Sequence, residues 1–66
     1  MISINDHTYP YHDDMSLLEL LNAENVDIHD ATLITLNGSL VRKDSYGGTI
    51  LSDGDEVLVI RVSTGG

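Results

Sequence analysis

The sequence predicts an α+β domain, on three observations. Two pairs of short strand-like runs are each joined by turn residues, one helix-start signal stands between the pairs, and the longest strand-like run comes last. The order is hairpin, helix, hairpin, loop and long final strand.

Met1 to Asn5 alternates, with Ile2 and Ile4 on one face, and Asn5-Asp6-His7 supplies turn chemistry. Thr8 to His12 is the expected return strand. Pro10 has no amide hydrogen to give a ladder, which places this strand at a sheet edge. Ser16-Leu17-Leu18-Glu19 reads as a capping box, in which the Ser16 hydroxyl accepts from the Glu19 amide and the Glu19 carboxylate reaches back to the Ser16 amide. Leu17, Leu18, Leu20 and Leu21 form a broad apolar face, and Asn22 to Asn25 weakens the helical signal. The helix is therefore expected to be short, about two turns.

Ala31 to Leu36 is rich in β-branched residues, and Asn37-Gly38 is a strong hairpin signal because both central positions of that turn need positive φ. Ser39 to Val41 returns beside it. Arg42 to Thr49 is polar and reads as a loop or a single helical turn, with Tyr46 as its anchor to the core. Asp53-Gly54-Asp55 marks a second turn before Glu56 to Val62, the most continuously apolar strand. A strand of that kind belongs in the middle of a sheet, here beside the first strand.

Composition narrows the function. With 66 residues the chain holds one small domain, too small for a deep catalytic cavity. Nine Leu, six Ile and five Val lift it above the roughly 20% aliphatic content below which a charged chain stays disordered. Three Lys and Arg against eleven Asp and Glu give a net charge of -8, which disfavours nucleic acid and anionic membranes and favours a basic protein surface. The absence of Cys excludes disulfides, thiolate zinc sites and a cysteine nucleophile. Neither a signal peptide nor a spanning segment is expected, so the protein reads as cytoplasmic. His7, His12, Asp13 and Asp14 match no metal-ligand spacing, and Asp53, Asp55 and Glu56 lack the rest of a calcium loop; no metal and no cofactor of its own is expected.

The tail Ser63-Thr64-Gly65-Gly66 follows the last strand. It reads either as a frayed terminus or as a functional tail, with the domain at 1–62 and a flexible segment at 63–66. Glycine lacks a Cβ, so Gly65 and Gly66 can thread a channel too narrow for other side chains. A terminal carboxylate, with a reference pKa near 3.5, is ionised at pH 7 and can attack the α-phosphorus of ATP when a partner supplies nucleotide and metal.

The strand order and tail resemble the ubiquitin-like β-grasp fold and, within it, the ThiS/MoaD family of sulfur carriers. Shared features are the Asn5-Asp6 turn, the helix signal of Ser16, Glu19, Leu20 and Leu21, the turn Leu51-x-Asp53-Gly54-Asp55-x-Val57, and the ending Val62-Ser63-Thr64-Gly65-Gly66. The match spans the whole chain and lies closest to the thiamine-biosynthesis branch. This chain has Arg42, Lys43 and Tyr46 where members often place a Pro before an Arg and a Trp, and Ser63 where an apolar residue is common. It also lacks the Pro-Pro that precedes the molybdopterin-branch ending.

The resemblance implies a mixed sheet of four to five strands with one helix across one face. It implies a carrier rather than an enzyme: Gly66 is adenylated by an E1-like adenylyltransferase (ThiF/MoeB-like) that brings ATP and Mg, with Gly65 beside it. A sulfur donor such as a cysteine desulfurase system then yields a thiocarboxylate for a thiazole synthase or another acceptor. By likeness to ubiquitin, Val57 and Val59 face the core while Leu58, Ile60 and Val62 face the partner, followed by Ser63 and Thr64. The free protein is expected to be a monomer. The alternatives are a molybdopterin synthase small subunit, a carrier for another pathway, a ubiquitin-like protein modifier, or a β-grasp binding domain with an incidental tail.

Overall fold

The computed structural model describes residues 1–28 and 32–61. It contains β1 (Ile2–Ile4), β2 (His7–Tyr9), α1 (Leu17–Ala23), β3 (Thr32–Leu36), β4 (Ser39–Val41), a 3-10 turn (Lys43–Ser45) and β5 (Glu56–Arg61). The five strands form one sheet in the order β2-β1-β5-β3-β4. β5 is central, parallel to β1 and antiparallel to β3, so the sheet is mixed, and β2 lies at an edge as Pro10 required.

One boundary moves. The return strand spans His7–Tyr9 instead of Thr8 to His12, because Tyr9 already pairs with Ile2 at the start of β1 and Pro10 follows without a donor. The start of β3 at Ala31 and the end of β5 at Val62 lie outside the described residues. The three predicted turns each carry a left-handed residue: φ is 53° at Asn5, 52° at Asn37 and 87° at Gly38, and 92° at Gly54.

The core joins Ile2 and Ile4 of β1, Leu17, Leu20 and Leu21 of α1, Ile34 of β3 and Val57 of β5, with Met15, Tyr46 and Leu51 from the connections. The helix start is held from outside the helix as well as from within. Ser16 accepts the Glu19 amide at 3.1 Å, the Leu17 amide donates to the Thr49 carbonyl at 2.8 Å, and the Leu18 amide donates to the Tyr46 carbonyl at 3.1 Å. The other half of the expected capping box does not form as read: the Glu19 carboxylate bonds the His12 ring instead. That ring is charged when protonated, so it is a stronger partner for a carboxylate than a neutral amide. The helix ends where Asn25 takes φ 56°, with the Asn25 amide on the Asn22 carbonyl and the Val26 amide on the Leu21 carbonyl at 2.9 Å. This pair is a Schellman closure, which returns Val26 toward the core.

Candidate functional site

β5 alternates as a half-buried strand must, with one set of side chains toward α1 and the other toward the helix-free side. Val57 is fully buried and Val59 half-buried against the core, whereas Leu58 is 41% and Ile60 43% exposed. The assigned faces therefore agree with the structure for all four residues. Register extends the open face beyond β5. Ile60 pairs with Leu33, Leu58 pairs with Thr35, and Thr35 pairs with Leu40 on β4. Leu33 and Leu40 are 43% and 62% exposed, so the helix-free side carries an apolar stripe across three strands. Sequence reading missed Leu33 and Leu40. The signal was present in β3, where Leu33 and Thr35 have the opposite parity to buried Ile34, but only the register joins them to Ile60.

Arg61 is the last residue of β5, and the expected site residues Val62, Ser63, Thr64, Gly65 and Gly66 lie outside the described residues. The site thus has a described half, the apolar stripe at the end of the central strand.

The polar candidates are parted and engaged elsewhere. His7 bonds the Glu24 carboxylate and also lies 3.6 Å from Asp6, while His12 bonds Glu19 and the Asp13 carbonyl. The Glu24 hydrogen bond holds the His7 ring above its ordinary pKa, and the Glu19 hydrogen bond does the same for His12. Among the described residues no group of three or more His, Cys, Asp or Glu side chains is arranged to hold a metal ion. Asp53 pairs with the Met1 amino group, and Asp55 accepts from the Ser52 amide at 2.8 Å and from Asn37 Nδ2 at 3.1 Å. These acids build turns. No helix among the described residues is long and apolar enough to cross a membrane.

Comparison with known proteins settles the family. The ThiS family model matches residues 2–66, nearly the whole chain. The chain belongs to the ThiS family. Among solved structures, the thiamine biosynthesis protein ThiS from Geobacter metallireducens superposes with a TM-score of 0.79 at 25% identity, over 98% of this chain and 97% of that one. No curated protein matches the chain. The five-stranded mixed sheet with one helix across it is the ubiquitin-like β-grasp of this ThiS structure.

Proposed function

We propose that this protein is a sulfur carrier of thiamine biosynthesis, a protein co-substrate rather than a catalyst. The observation that carries the reading is the ThiS family match running through the Gly65-Gly66 ending, on a β-grasp domain whose central strand leads toward that tail. In this reading the chain divides at 62/63 into a domain and a tail. The Gly66 carboxylate attacks the α-phosphorus of ATP held with Mg by an E1-like, ThiF/MoeB-like partner, and pyrophosphate leaves. Sulfide-level sulfur from a donor then attacks the acyl carbon, AMP departs, and a terminal thiocarboxylate remains for a thiazole synthase. The residues of this chain supply reach and thinness: Gly65 and Gly66 have no side chain to block a narrow channel.

The partner docks on the open stripe of Leu58 and Ile60, extended by Leu33 and Leu40. A partner removes that apolar surface from water, worth roughly 25 cal/mol per Å² before association costs. Ile60→Asp is expected to weaken binding of the activating enzyme while leaving the fold intact, since Ile60 already faces solvent; unfolding of the variant would contradict this assignment.

The deciding test is mass spectrometry of the carrier after incubation with its active cognate enzyme, ATP and a sulfur donor. AMP attachment and then an oxygen-to-sulfur exchange at Gly66 are expected, with Gly66→Ala impaired in adenylation but not in folding. A wild-type chain that shows neither change sinks the reading. Discrete larger conjugates in cell extract would favour a protein modifier instead.

A further inference from the structure

On the side of β5 opposite the apolar stripe, the sheet and the end of α1 enclose a cleft of ≈280 Å³. Its apolar wall is Ile4, Val26 and Val59, and its rim carries His7, Glu24 and Arg61. Two left-handed asparagines hold the walls. Asn25 closes α1 and sets Val26, while Asn5, at φ 53°, accepts the Val59 amide on its side-chain oxygen at 2.8 Å.

The charges in the cleft are not balanced. His7 and Glu24 satisfy each other. Arg61 has no ion-pair partner among the described residues, although the chain has eleven Asp and Glu; Arg42, by comparison, lies 3.8 Å from Asp44. One guanidinium therefore stands beside an aliphatic wall with its donors unused by any carboxylate of the described chain. An aliphatic wall beside a guanidinium fits an aliphatic and an acidic side chain of a partner protein.

Position identifies that protein. Gly66 lies five residues beyond Arg61, a reach of at most roughly 18 Å at 3.3–3.6 Å each. Any enzyme that holds the Gly66 carboxyl has its surface within that distance of the cleft. We propose that the cleft is a second docking contact for the activating enzyme, taking an aliphatic side chain against Ile4, Val26 and Val59 and a carboxylate of the partner on Arg61. The inference rests on the sulfur-carrier reading and adds specificity to it. A chain of net charge -8 is drawn to basic surfaces in many orientations, and one pair of reversed sign at the root of the tail selects the productive one. Arginine suits the role because its fork binds a carboxylate through two parallel hydrogen bonds.

The test is calorimetric titration of the activating enzyme with wild type, Arg61→Gln, Arg61→Lys and Ile60→Asp, alongside hydrogen exchange of the complex. Loss of a charged hydrogen bond predicts about tenfold weaker binding for Arg61→Gln, with Arg61→Lys closer to wild type. New protection is expected at the Asn25 and Val26 amides as well as along the stripe. If Ile60→Asp binds poorly while Arg61→Gln binds like wild type and the cleft amides gain no protection, this inference falls and the carrier reading stands. If the wild-type chain is never adenylated by an active enzyme, the carrier reading itself has failed.

Discussion

Asn37 does more than allow a turn. Its left-handed backbone opens the β3–β4 hairpin, its amide donates to the Glu56 carbonyl at 2.7 Å, and its side-chain oxygen accepts the Glu56 amide at 2.9 Å. A third bond runs from Nδ2 to Asp55. One residue thus ties the hairpin to the start of β5. Asn37→Ala is expected to cost about 1–2 kcal/mol, because it strains positive φ and leaves the Glu56 amide without its side-chain acceptor. At this size that is a fall in Tm of several degrees, about 4–8 °C per kcal/mol. Asn37→Gly keeps the backbone freedom and loses only the side-chain bonds, so it should fall between the two. Equal melting of Asn37→Ala and wild type would refute the account.

At the scale of elements, two histidines hold the β1–β2 side of the molecule to α1. His12 meets Glu19 in the first turn of the helix, and His7 on β2 meets Glu24 at its end. Asp6 beside His7 acts in the same direction as Glu24, and so does the Asp13 carbonyl beside His12. Both rings have folded-state pKa values raised above 6.5. A raised histidine contributes fully below its unfolded pKa, and the contribution disappears as pH rises through the folded value. Urea unfolding of wild type and of His7→Gln/His12→Gln should therefore differ most below pH 6.5 and converge as the pH rises through the raised folded values. A gap that does not change with pH would show that the pairs do not act through protonation. Both rings are solvent-exposed, so the effect is a modest one set by direction.

For the whole molecule, net charge is the dominant electrostatic fact. Eleven Asp and Glu face three Lys and Arg, and among the described residues the Met1–Asp53 and Arg42–Asp44 pairs are exposed. Salt screens both attraction and repulsion, over a Debye length of about 10 Å at 0.1 M. Repulsion is the more numerous interaction here. Moving from low to physiological ionic strength is expected to raise Tm, and a flat or falling response would mean that the exposed pairs outweigh the self-repulsion.

Periodicity and turn chemistry are local, and what depends on them was legible in the chain. Ile2 and Ile4, the leucines of α1 and the Asn37-Gly38 hairpin follow from local spacing and turn chemistry, while the likeness to ubiquitin assigned Val57 to the core and Leu58 to the open side. The central place of β5 was expected from its continuous apolar run, although that run is buried on one face only, with Leu58 and Ile60 exposed on the other. The Gly65-Gly66 ending also belongs to the sequence, and the carrier chemistry proposed for it is read from there. Tertiary structure decided which distant groups meet. The amides of Leu17 and Leu18 find the carbonyls of Thr49 and Tyr46, and Glu19 turns from its own cap to His12. Leu33 and Leu40 join Ile60 and Leu58 only through strand register, and Arg61 and Val26 line one cleft because the left-handed Asn25 closes α1. Pairings of this kind close long loops and are chosen by the packing of the whole core, so no short window of sequence contains them.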